Sequence, residues 1–308
     1  MKIFFSRQQK FLEKSRDRIK SKEKLIILLF LGVTIVLHSF VQAQDKKNSL
    51  WSLSLSECEK SKWPWSSALS DVAAQQLSGA DILKMVDRRS VGEEAPPDLQ
   101  AKMVMKIIDS RHNEKIRELR VWSKNRPGED DWRVMKFLTP ADIRGVGFLV
   151  LADDQMYLYL PEFRRIRRIA SHNKTERFMG SDFSYEDMGT GGFARYYEAE
   201  LKDENGETWH LALSVKPGVE KPYSRVELWV DKESRLPRRY RLYDSSGELW
   251  KEAIQEISQI SSYWIPVRIT MKDIKARSQT VLIMEDIQVN VGLEDEIFTQ
   301  RFLRRRVR

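Results

Sequence analysis

From Leu99 onward the chain breaks into short stretches rich in Val, Ile, Tyr, Trp, Phe and Met, separated by turn signals. This alternation constrains the fold more than any other feature, because β-branched and aromatic runs bounded by Gly, Pro, Asn and Asp read as strands. The pattern predicts strands at 100–109, 115–123, 131–138, 147–152, 155–160 and 164–170. After an interruption they resume at 194–202, 207–216, 223–231, 236–243, 247–257, 263–274 and 279–290. "DENGE" and "DSSGE" supply hairpin-type turns in which glycine accepts a positive φ. Thirteen such segments with short links predict one antiparallel meander, and a sheet that long must curl, close or split. The expected class is α+β, mainly antiparallel β: a half-open curled barrel with the N-terminal helices in its mouth.

Two helices are expected before the strands. Ser66–Leu77 has apolar residues at helical spacing, and a second helix starts near Ala80. Ser78 can cap it, with Asp81 three residues on and Ile82, Met85 and Val86 on its face. "GEEAPPD", Gly92 to Asp98, ends it. A short C-terminal helix is expected near Asp295, carrying Ile297, Phe298 and Phe302.

The first 43 residues form a separate object. Met1 to Lys24 carries nine Lys/Arg and three Asp/Glu, and Leu25 to Phe40 is uncharged and apolar. "VQA" at Val41 to Ala43 places small residues where signal peptidase cuts. The expectation is a secretory signal over 1–43 cleaved after Ala43, with an uncleaved anchor as the alternative. Either way the body is exported, to a periplasm. Residues 44–77 would form an arm and first helix, 78–303 the folded domain and 304–308 a basic tail. Without the leader, 44 basic and 42 acidic residues remain, a net of +2. The body is therefore near neutral, which argues against nucleic acid as a partner despite the basic pI. The single cysteine, Cys58, cannot form an internal disulfide, and no lipobox precedes it.

Catalytic and metal chemistry find little support. No G-x-S-x-G frame surrounds Ser181, and beyond the leader the histidines are His112, His172 and His210, scattered among strands and turns. Asp182, Glu186 and Asp187 lie too close together in sequence to form a glycosidase-type pair by themselves. Asp182, Ser184 and Glu186 match calcium-loop spacing loosely, without the glycine and closing glutamate of an EF-hand. "GTGG", Gly189 to Gly192, lacks the Lys-Ser/Thr of a phosphate loop and reads as a hinge. Neither a cofactor nor a metal is expected. Arg164, Arg165, Arg167 and Arg168 put an arginine pair on each face of one strand. They require nearby acids, anionic head groups or a partner protein.

At this point a family resemblance enters. "FLTPADIRGVGFLVLADDQMYLYLPEFRRIRRIASHNKTERFMGSDFSYEDM", Phe137 to Met188, resembles the LolA-like outer-membrane lipoprotein-sorting proteins. "FLTP", "RGVGFL", "YLP" and "RRI" are weak matches singly, whereas "GSDFSYED" at Gly180 to Asp187 is specific. The resemblance covers roughly Ser78 to Val291. It implies a half-open antiparallel barrel with helices as a lid over an apolar cavity. It further implies that the cavity takes acyl chains of lipids or lipoproteins, without catalysis. An inner-membrane RND/MMPL-type exporter is the partner it suggests, and a sensor or accessory module regulating a membrane protein is the alternative. On the strands, Met103, Met105, Met135 and Phe137 are the expected lining, joined by Phe148, Leu158 and Leu160. Phe178, Phe183 and Tyr185 would pack at the mouth. Asp182, Glu186 and Asp187 are expected to neutralise Arg165, Arg167 or Arg168, making "FMGSDFSYEDM" a latch at the rim.

Overall fold

A computed structural model describes residues 77–306 of the chain. The leader, the arm and the helix expected over Ser66–Leu77 lie outside the described residues, apart from Leu77 itself. All thirteen strands form within a few residues of the positions read from the sequence. The first six are β1 (Asp98–Ile108), β2 (Glu114–Lys124), β3 (Trp132–Thr139), β4 (Gly147–Ala152), β5 (Gln155–Leu160) and β6 (Arg165–Arg168). The remaining seven are β7 (Tyr197–Glu204), β8 (Thr208–Val215), β9 (Arg225–Asp231), β10 (Pro237–Tyr243), β11 (Leu249–Ile260), β12 (Tyr263–Asp273) and β13 (Ser278–Val289).

The order of the strands differs from the single meander expected. One curled, unclosed sheet runs β6-β5-β4-β3-β2-β1-β13-β12-β11-β10-β9-β8-β7. Two meanders, of six and seven strands, join through antiparallel pairing of β1 with β13, Met103 opposite Met284 and Met105 opposite Leu282. The two free edges are therefore β6 and β7, consecutive in sequence but at opposite ends of the sheet. The chain must pass from one edge to the other, so residues 169–196 become a long crossing segment. It packs on the concave face: Ile169, Phe178, Phe183, Tyr185 and Met188 all join the main core.

Helix α1 (Gly79–Ser90) begins as the sequence predicts. Ser78 Oγ accepts from the Asp81 amide at 3.2 Å, and the Asp81 carboxylate accepts from the Ser78 amide at 3.4 Å, a reciprocal capping box. Its buried face, Ile82, Leu83 and Val86, enters the same core, and the helix lies against β7. A Cβ on Gly79 would stand 2.6 Å from the Ala199 carbonyl oxygen, so glycine permits this close approach. The one-turn helix α2 (Phe193–Tyr196) follows the crossing segment.

The sheet is covered on both sides. On the convex face, Trp122, Val134 and Leu149 pack with Leu293, Phe298 and Leu303 from the C-terminal segment. That segment forms a 3-10 turn at Asp295–Phe298 and a short helix α3 (Gln300–Arg304). This second core explains why "GFLVLA" and "QMYLYL" are apolar on both faces. Among the described residues, no helix is long and apolar enough to cross a membrane.

Candidate functional site

The stretch "FMGSDFSYEDM" is built residue by residue to dock on the concave face. Ser181 N–H donates to the Phe178 carbonyl at 2.9 Å, closing a turn whose central residues have positive φ, 49° at Met179 and 77° at Gly180. That geometry explains the glycine. Ser181 is fully buried, its hydroxyl donating to the same carbonyl at 2.7 Å. Asp182 is 1% exposed and anchors the turn to β13. Its amide donates to Thr280 Oγ1 at 2.9 Å, and that hydroxyl donates back to Oδ2 at 2.6 Å. Ser278 and Arg177 donate to Oδ1.

The aromatic residues of the stretch enter the core. The Phe178 ring centroid lies 5.1 Å from Phe148, 5.5 Å from Tyr185 and 6.1 Å from Phe137. Ser184 and Asp187 bind each other reciprocally, the Ser184 amide to Asp187 Oδ2 at 2.8 Å and the Asp187 amide to Ser184 Oγ at 3.1 Å. Asp187 then reaches the opposite meander. Tyr223 hydroxyl donates to it at 2.8 Å, and Lys251 Nζ donates to it at 3.2 Å and to Tyr223 Oη at 3.0 Å. Burial, reinforced by the Asp187 charge, pushes the Tyr223 hydroxyl pKa well up, so it stays a donor. Glu186 pairs with Lys221 and with Lys174, the latter at 3.6 Å.

These partners correct one expectation. The three acids neutralise Arg177, Lys174, Lys221 and Lys251, not Arg165, Arg167 or Arg168. The reason is topological: β6 is an edge strand, and the chain turns inward after it. Arg165 and Arg167 stay exposed, and Arg168 bonds to Asp154 in the neighbouring turn.

Two clefts open on the concave face beside this docked segment. One, about 350 Å³, is bordered by Met103, Val121, Met135, Leu282, Met284 and Trp264, with Arg133 among its polar residues. The other, about 270 Å³, is bordered by Tyr197, Val226, Leu242, Ala253 and Met271, with Lys221 and Glu186 at one end. They share Phe183, Asp187, Phe193, Tyr240, Gln255 and Ile269. Tyr240 donates to Gln255 Oε1 at 3.2 Å, and burial raises the tyrosine's pKa. Of the ten residues expected to line a cavity, Met103, Met135 and Phe183 border the clefts. Met105, Phe137, Phe148, Leu158, Phe178 and Tyr185 pack within the main core, and Leu160 packs against it.

Polar latches close around the clefts. Asp87 on α1 accepts from the amides of Phe193 at 2.9 Å and Ala194 at 2.7 Å, tying the helix to α2. Burial raises the Asp87 pKa, and those two amides oppose the rise. Arg133 of β3 donates to the carbonyls of Met188 and Gly189. Asp131 accepts from the Arg126 amide at 2.9 Å, and burial pushes its pKa up to about 6. Lys251, Tyr223 and Asp87 were not singled out in the sequence. A signal existed for Lys251: it alternates with Ala253 and Gln255, which places it on the inner face of β11.

The same curled antiparallel fold recurs in several solved structures. A family model described as "-like: Uncharacterized protein" matches residues 129–305. A DUF1329 family protein from Desulfovibrio piger is 28% identical, with a TM-score of 0.68, covering 73% of this chain and 97% of that one. A putative outer membrane lipoprotein-sorting protein domain from Vibrio parahaemolyticus is 29% identical, with a TM-score of 0.67, covering 74% and 98%. A LolA superfamily protein from Nitrosomonas europaea shares the fold at 22% identity and a TM-score of 0.59, covering 74% and 100%. No curated protein sequence gives a significant match. The family model spans more than half of the chain, so the chain belongs to that family, and it shares its fold with the DUF1329 and outer membrane lipoprotein-sorting protein structures.

Proposed function

We propose that this protein is a non-enzymatic periplasmic carrier that shields acyl chains of a lipid or lipoprotein. The observation that carries the proposal is the pair of adjoining apolar clefts on the concave face, lined by Met, Leu, Ile and aromatic side chains. Methionine suits irregular, flexible ligands because its unbranched thioether adapts its shape. Each methylene removed from water contributes ~0.8 kcal/mol. A run of roughly ten methylenes would then supply about 8 kcal/mol, equivalent to ~1 μM before ordering costs. Helix α1 and the crossing segment, latched through Asp87, act as the lid. The apolar leader supports export to the periplasm, and an RND/MMPL-type exporter in the inner membrane is the proposed partner.

Mass spectrometry of lipids extracted from the protein purified from cells tests the reading, together with uptake of a fluorescent fatty acid. A stoichiometric acyl lipid and saturable uptake are expected. Neither lipid nor uptake would reject the carrier function.

A further inference from the structure

The turn between β5 and β6 carries the most exposed large apolar side chain among those described: Phe163, 61% exposed. Arg164 and Arg165 follow it directly, and Arg164 sits at a left-handed φ of 51° that closes the turn. Neighbouring elements add positive charge at the same end of the sheet. A Cβ on Gly145 would lie 3.4 Å from Pro161 Cγ, which sets Arg144 and its turn beside this one. Lys136, Gly147, Tyr159 and Ile166 form a continuous row across β3 to β6. Lys136 Nζ donates to the carbonyls of Phe302 and Arg305, which brings the exposed Arg304 and Arg305 over that row. Among the described residues, no carboxylate lies within ion-pairing distance of Arg144, Arg164, Arg165 or Arg304. Arg305 has Glu296 at 3.8 Å. Glu162 and Asp142 are the acids of the two turns, and both are exposed.

We propose that this end of the sheet docks on an anionic lipid surface, with Phe163 entering the interface and the arginines meeting head-group phosphates. Charge on an edge strand guards against unwanted strand pairing, which accounts for Arg165 and Arg167. It does not account for an exposed phenylalanine at the tip of the turn. An apolar side chain ringed by arginine, by contrast, matches the layering of a membrane interface, apolar below and anionic above. Guanidinium groups also pair with phosphate oxygens through two parallel hydrogen bonds. This docking is independent of acyl-chain binding and would hold for a protein with empty clefts.

The test uses the full chain and vesicles of phosphatidylcholine with or without phosphatidylglycerol. Every variant keeps Leu25 to Phe40, so any membrane affinity of that segment cancels in the comparison. Each arginine near an anionic surface is worth roughly a fivefold change in partitioning, so Arg164→Gln with Arg165→Gln should weaken binding to anionic vesicles roughly 25-fold. Half-molar salt should do the same. A Cys58→Ser, Phe163→Cys chain labelled at its single thiol with an environment-sensitive dye should shift to the blue on anionic vesicles only. Equal partitioning of wild type and the arginine variant, or a silent dye, overturns the proposal. A dye that responds to a purified membrane protein but not to vesicles also overturns it, in favour of a protein interface. Fatty-acid uptake measured on the same samples separates this outcome from failure of the carrier reading.

Discussion

At the scale of single residues, two buried charges set the terms of stability. Asp131 is 5% exposed, and burial holds its pKa near 6, against 3.8 for an ordinary aspartate. The unfolded chain releases this proton at the lower value and the folded chain at the higher one. Between them the folded state binds more protons, so stability falls as pH rises from about 4 to about 6, then levels. The loss is at most about 3 kcal/mol. Asp131→Asn keeps the acceptor for the Arg126 amide and removes the titration. Urea midpoints across that window should therefore converge at pH 4 and favour the variant at pH 7. A difference that does not change with pH would remove burial of Asp131 as its cause.

Lys251, 3% exposed, makes the opposite case, because its charge is already matched by Asp187 and Tyr223. Lys251→Met leaves the half-buried Asp187 carboxylate without its cation and should cost about 3 kcal/mol. Tyr223→Phe removes one hydroxyl and should cost about 1–3 kcal/mol. Chemical denaturation of both variants orders them, and a smaller loss for Lys251→Met would show that water reaches Asp187. That the motif makes a turn with paired acids was legible from its glycine, serine and three acids among aromatics. Its partners were not, because Lys221, Tyr223 and Lys251 belong to the other meander and meet the motif only in space.

Among the elements, the strands were legible and their order was not. Each strand announces itself locally through β-branched and aromatic alternation, as "QMYLYL" and "TWHLALSV" do. Pairing of β1 with β13 joins residues far apart in sequence, such as Met103 with Met284, and no local pattern encodes it. The capping box at Ser78 was readable because it lies within four residues. Helix α1 then owes its position to a feature visible only in three dimensions, the missing side chain of Gly79 against the backbone of β7. Gly79→Val should push the helix off the sheet at a cost of about 1–3 kcal/mol. Hydrogen exchange would show lost protection across Asp81 to Ser90, and a bound fluorescent fatty acid should leave faster. Unchanged exchange in α1 would mean that the helix adjusts without leaving β7.

On the scale of the whole molecule, the concave face is divided. The crossing segment fills the part over β3 to β5 with a packed aromatic cluster, Phe178 against Phe137 and Phe148. The clefts run between that cluster and β10 to β12, around Tyr240, Gln255 and Ile269. Core and clefts are thus made from one apolar surface, and the same residue types serve both. This is why periodicity in the sequence could not separate cavity-lining from core residues: both alternate with period two. The division makes a pair of substitutions diagnostic. Phe178→Ala removes a fully buried ring from the cluster and should cost about 3–5 kcal/mol. Fatty-acid affinity should change little at temperatures where the variant stays folded. Ile269→Trp places a larger side chain where both clefts meet; Ile269 is only partly buried, so stability should hold within about 1.5 kcal/mol. Uptake should fall by tenfold or more, because the space for the chain is taken. Thermal unfolding and fluorescent fatty-acid titration on the two proteins give the four numbers required. If instead Phe178→Ala abolishes uptake and Ile269→Trp leaves it intact, the acyl chain enters beneath the crossing segment, and the lid must move as a whole to admit it.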